Sequence, residues 1–68
     1  MMITYQPLMV TLAKNNIKKT ELAKAIDISS VTLSKFAKNE YVKLEIIDRI
    51  CSYLNCGIED VVKHIIEE

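Results

Sequence analysis

Residues 19–38, KTELAKAIDISSVTLSKFAK, leave the chain few folds to choose from. They read as two short helices joined by a tight turn. Leu22, Ala23 and Ile26 fall on one face of the first helix. Ile28 follows the turn, and Leu33 and Phe36 make the apolar face of the second. Ala23 is small where two crossing helices come close and a larger side chain would push them apart. Ser29 is a strong N-cap, because its side-chain oxygen can accept one of the backbone N–H groups left without a partner at a helix start. The exposed start of the second helix is then Ser29, Ser30, Val31 and Thr32, with Lys35 one turn on. This pattern predicts a helix-turn-helix over about 19–38, a motif whose second helix enters the major groove of DNA.

Sixty-eight residues allow one domain, 1–68, near the lower limit for an independent core. Half the residues are hydrophobic, with one Gly and one Pro. That balance suits a helical bundle and argues against a sandwich or barrel, which needs many turns. No apolar run approaches membrane-spanning length. The opening MMITYQPL lacks the basic and long apolar regions of a secretory signal, so a cytoplasmic location is expected. Cys51 and Cys56 lie five apart across a predicted helix end and read as small core residues, not as a structural disulfide, with a thiol switch through Cys56 as an alternative that the sequence does not support. With His64 the only histidine and no second cysteine pair, no metal site is expected.

The net charge is zero, which by itself counts against a nucleic-acid partner. The charge is unevenly spread. Between residues 14 and 43 there are seven lysines against three acids, and from 44 to 68 two basic residues against six acidic ones. The basic half contains the helix-turn-helix. Screening over about 8 Å in physiological salt keeps the acidic end from cancelling it.

Five helices are predicted. The first runs over 7–15 from Pro7, where a missing amide hydrogen costs nothing, and buries Leu8, Met9 and Leu12. Ahead of it, Ile3 and Tyr5 alternate with Thr4 as a short extended segment. The second helix covers 19–26, with Lys18 a poor cap and Thr20 an alternative one. Asp27 fills the turn in a left-handed conformation. The third covers 30–38, stopped by Asn39. The fourth covers 44–54, with Leu44, Ile47, Ile50, Cys51 and Leu54 on one stripe. The fifth covers 58–66.

With these residues in view, the chain resembles the small Cro/CI-type (XRE-like) helix-turn-helix regulators over nearly its whole length. The resemblance is carried by Tyr5-Gln6-Pro7-Leu8, by Lys19-Thr20-Glu21-Leu22-Ala23 and by the segment from Ile28 to Lys35. The tail adds Ile50-Cys51, Leu54, Cys56 and Glu59-Asp60-Val61-Val62. It implies an all-α, five-helix, lambda-repressor-like DNA-binding domain acting as a homodimer on a two-fold symmetric operator. Position by position, it places Ser29, Ser30, Val31, Thr32 and Lys35 against base edges. It places Lys19, Lys38 and Asn39 against phosphates. The departures are Lys18 for the usual capping Ser or Thr, Asp27 for Gly in the turn, and Asn39 for Gly after the third helix.

The residues themselves support that division. Ser30 and Thr32 can bond base edges, Val31 can touch a thymine methyl, and Lys35 can reach guanine or a phosphate. There is no Arg, Asn or Gln among them, so DNA shape is expected to share in selection. Lys18, Lys19, Lys38 and Lys43 flank the recognition helix as candidate phosphate clamps, with Lys24 solvated. Tyr41 is expected to pack on the domain, against Tyr5, with a contact to the DNA backbone or a phosphate as the other reading. Val61, Val62, Ile65 and Ile66 give a wide apolar surface, read either as a dimer seam or as a patch covered by the N-terminal segment. No base stands at a defined spacing from any serine, and there is no phosphate loop, so no enzyme activity, cofactor or small-molecule ligand is expected. Double-stranded DNA is the expected partner, and repression the expected role. Two other readings stay open: an antitoxin that binds a toxin through its acidic half, and a helical protein-interaction module.

Overall fold

A computed structural model describes residues 2–66. The order is strand β1 (Met2–Thr4), helices α1 (Gln6–Lys14), α2 (Lys19–Ile26), α3 (Ser30–Ala37) and α4 (Leu44–Leu54), a single 3-10 turn (Ile58–Asp60) and strand β2 (Lys63–Ile65). The two strands pair antiparallel, Met2 opposite Ile65, Ile3 opposite His64 and Thr4 opposite Lys63. Tyr5, Leu8, Leu12, Leu22, Ile26, Phe36, Ile47, Ile50 and Val61 form one buried cluster. Every helix, the N-terminal junction and the C-terminal segment contribute to it. Burying each large apolar side chain contributes about 1.5–3 kcal/mol, so a domain this small depends on all of them.

The four helices stop in the same way. Asn16, Asp27, Asn39 and Asn55 each have φ between 53° and 57°. The residue after each donates its N–H to the carbonyl five residues back: Ile17 to Leu12, Ile28 to Ala23, Glu40 to Lys35 and Cys56 to Cys51, at 2.9–3.1 Å. This is the Schellman motif, which satisfies carbonyls that the helix end leaves unpaired. Asn and Asp reach the left-handed region at less cost than other side chains, which is how a chain with one glycine closes four helices. That glycine, Gly57, serves elsewhere: its N–H donates to the Asp60 carboxylate at 3.2 Å and opens the 3-10 turn.

The fifth helix expected over 58–66 does not form. One turn ends at Asp60, and Lys63–Ile65 is extended. Val61, Val62, Ile65 and Ile66 are all β-branched, which costs a helix and suits a strand. The extended N-terminal segment supplies the strand that β2 pairs with. Two further bonds hold the segment to α1: Leu8 N–H donates to the Val61 carbonyl at 3.2 Å, and the Thr11 hydroxyl to the Asp60 carbonyl at 2.7 Å. Leu8 N–H belongs to the first turn of α1 and has no partner within its own helix.

Leu44 also departs from the expected stripe. It opens α4 at 75 % exposure, while Ile47 and Ile50 are buried and Cys51 and Leu54 half-buried. The first helix begins one residue before Pro7 and ends at Lys14, and Met9 is half-buried. Lys18 precedes α2 with no side-chain cap, and Thr20 lies inside the helix.

Candidate nucleic-acid interface

The second helix of the helix-turn-helix, α3, is fixed at both ends. At its start, Ser29 Oγ accepts the Thr32 N–H at 3.2 Å and lies 3.2 Å from the Thr32 hydroxyl. At its end, Tyr5 reaches across the chain. The Tyr5 hydroxyl donates to the Glu40 carbonyl at 2.6 Å, and its backbone N–H donates to Asn39 Oδ1 at 3.1 Å. The Tyr5 ring meets Phe36 edge-on, with centroids 4.7 Å apart, a favoured aromatic geometry. Burial pushes the Tyr5 hydroxyl above its ordinary pKa.

Helical spacing sorts the α3 side chains. Phe36 faces the core. Ser30, Val31, Ser34 and Lys38 point away from it and are exposed, Val31 at 69 %. Thr32 and Lys35, three apart, share one flank and are half-buried. Of the five residues expected at base edges, Ser30, Val31 and Lys35 therefore stand without internal bonds. Ser29 and Thr32 spend hydroxyl capacity on the cap. Ser34, not expected at this face, returns its hydroxyl to the Val31 carbonyl at 2.8 Å.

Two grooves run beside α3. One, of about 470 Å³, gathers Ser29, Thr32 and Lys35 from α3, Tyr41 and Lys43 from the following loop, and Arg49 from α4. The other, of about 260 Å³, brings Lys19 at the start of α2 next to Asn39 and Ala37 at the end of α3. The candidate phosphate contacts thus fall into two sets, Lys43 on the Lys35 flank and Lys19 with Asn39 on the opposite flank. Lys18 lines neither groove and lies over a third hollow with Met9 and Ile17. Lys38 projects from the outward face. Asn39 keeps only its amide NH2 for a ligand, because Tyr5 occupies its oxygen. Among the described residues the one ion pair is Arg49–Glu45 at 3.0 Å, so Lys19, Lys35, Lys38 and Lys43 make no ion pair, while Asp27 and Glu45 also line the groove that Lys35 and Lys43 share.

Domains with this arrangement form a known group. The Cro/C1-type HTH DNA-binding domain matches residues 8–67. The chain belongs to that family. The fold of this Cro/C1-type domain is similar to the crystal structure of the transcriptional regulator VanUg. The TM-score is 0.93 at 36 % identity, over 97 % of this chain and 88 % of that one. No curated protein matches the chain.

Two residues at the interface stand differently from what the sequence predicts. Tyr41, expected to pack on Tyr5, is 77 % exposed and stands on the groove wall. Phe36 and the Glu40 carbonyl fill the place beside Tyr5 that it would have taken. Arg49 was counted only as charge. Its guanidinium donates to the Ile26 carbonyl at 3.3 Å and to Glu45 at 3.0 Å. It places a cation at the C-terminal end of α2, where the helix dipole favours one, and ties α4 to the turn. The Glu45–Arg49 spacing of four on a predicted helix was the available signal.

The apolar residues considered for a dimer seam divide. Val61 is fully buried within the chain and is not available to a partner. Val62 and Ile65 are half-buried, and Ile66 is 68 % exposed. The N-terminal segment pairs along β2, as one of the two readings expected. No helix among the described residues is long and apolar enough to cross a membrane.

Proposed function

We propose that this Cro/C1-type domain is a sequence-specific regulator of transcription that binds double-stranded DNA and represses by occupying its operator. One observation carries the reading: α3 presents Ser30, Val31 and Lys35 between two lysine-edged grooves, with both of its ends pinned. Such a helix enters the major groove while the flanking cations fix register on the phosphates. The likeness to a transcriptional regulator over nearly the whole chain supports the regulatory role. A homodimer supplies a second recognition helix one helical turn away, about 34 Å. Leu44, Ile58 and Ile66, exposed at 75 %, 51 % and 68 %, are among the apolar residues open to such a contact.

The test is selection of bound duplexes from a random pool at physiological salt. A two-fold symmetric site is expected. Lys19→Ala then weakens binding to all duplexes alike and lowers the salt slope by about 0.9. Ser30→Ala or Lys35→Ala changes the preferred sequence. A folded protein that enriches no duplex overturns the reading.

A further inference from the structure

Three of the four helix ends bring Leu12 and Ile17, Ala23 and Ile28, and Lys35 and Glu40 to the two positions joined by the Schellman bond. The fourth sets two thiols there. Cys51 and Cys56 occupy the positions whose side chains meet in this motif, and Cys56 N–H donates to the Cys51 carbonyl at 3.1 Å. A direct backbone bond of this kind keeps two residues near the Cα separation that a disulfide needs, about 4.4–6.8 Å. Both cysteines are free and half-buried. Burial, and then the neighbouring Cys51 thiol, push the Cys56 thiol above its ordinary pKa, which places the two groups in each other's field. Cys51 also lines an open groove of about 360 Å³ with Leu44, Ile47, Asp48 and Ile58, so a small reagent can reach it.

We propose that Cys51 and Cys56 are a modification site at which small-molecule disulfides oxidise the folded domain to an intramolecular disulfide. One cysteine, as thiolate, attacks the reagent disulfide. A mixed disulfide forms, and one reagent thiolate leaves with the proton. The second cysteine attacks the protein-side sulfur and expels the second reagent thiol. Two protein thiols are oxidised and one disulfide is reduced to two thiols. The product closes the turn around Asn55. It staples α4 to the segment that carries Val61 into the core. Because the fold presents the two thiols to each other, the fold and the disulfide stabilise each other by the same factor.

The experiment equilibrates the whole chain with mixtures of oxidised and reduced glutathione, in buffer and in concentrated urea. Acid quenching and intact mass then give the fraction that has lost two hydrogens. The expected result is a ring-closure constant at least about tenfold larger in buffer than in urea, with no glutathione adduct at equilibrium. The Cys56→Ser variant, under the same conditions, accumulates the Cys51 mixed disulfide, which shows that Cys56 completes the ring. Equal constants in buffer and urea overturn the proposal. So does a folded wild-type chain that accumulates glutathione adducts or disulfide-linked dimers instead of the ring.

Discussion

The helix-turn-helix and the segment after α4 are held by different kinds of contact. Within residues 19–38 most of the fixing is local. Ser29 caps the helix it starts, Asp27 makes the turn between its own neighbours, and Ile28 returns its N–H to Ala23. Residues 58–66 are fixed from far along the chain, by Leu8, by Thr11 and by the strand Met2–Thr4. The first region keeps its outer side chains free for a ligand because its backbone supplies its own bonds. The second has one 3-10 turn of its own, and beyond it Val61 is buried by elements distant in sequence. A strand pair of three residues is marginal in isolation, and packing on α1 is what sustains it.

The largest break in this comparison is Val61→Asp. It puts a carboxylate with no cationic partner into the core and costs about 3–5 kcal/mol, a large share of the roughly 5–15 kcal/mol that holds a domain together. Ile66→Asp, five residues on and exposed, changes stability by less than about 0.5 kcal/mol. Urea unfolding followed by circular dichroism distinguishes the two. Equal small effects would show that the C-terminal segment is not part of the core.

The same contrast decides how much was legible in the sequence. The bounds of α2 and α4 follow from their left-handed stops and apolar spacing, all within a few residues of each other. The strand at 63–65 does not follow, because nothing near His64 records that Ile3 will lie opposite it. Apolar counting saw that Val61 needed cover but not that Leu8 and Tyr5 provide it. The exposure of Tyr41, with Tyr5 buried, has the same origin. Both are tyrosines near apolar residues, and only the route of β1 past the end of α3 decides which is buried. At the interface, the order of Ser29, Ser30, Val31, Thr32 and Lys35 on one short helix was legible. The division of the lysines between two grooves was not, since it depends on where Lys19 and Lys43 meet α3.

Tyr5→Phe sharpens the comparison, because it cuts one distant bond to the helix-turn-helix and leaves the ring in place. Losing the bond to the Glu40 carbonyl costs about 1 kcal/mol. It also changes the response to alkali. The folded Tyr5 hydroxyl has a raised pKa, so above the ordinary tyrosine range near about 10 the unfolded chain gives up a proton that the folded chain keeps. Stability therefore falls as pH rises through that range, and the fall ends once the folded hydroxyl ionises too. In the Phe variant this part of the fall disappears. Thermal unfolding of both proteins across that range checks it, and parallel curves would show that Tyr5 is not the group responsible.

The smallest effect compares two left-handed residues at the two ends of α3. Asp27 has φ 57°, and its backbone conformation is satisfied locally. Asn39 has φ 56°, and its side chain also accepts the Tyr5 N–H. Glycine relieves the left-handed strain at either site and adds disorder to the unfolded chain. For Asp27→Gly the balance is a gain of about 0.5 kcal/mol. It also removes a negative charge from the groove that Lys35 and Lys43 share, so duplex binding tightens slightly and alike for all sequences. For Asn39→Gly the same relief is outweighed by the lost acceptor, worth about 1 kcal/mol, and stability falls by about 0.5 kcal/mol. Opposite signs in urea unfolding are the expected result. If both variants gain, the bond from Tyr5 contributes nothing, and the end of α3 is held by its own turn alone, as its start is.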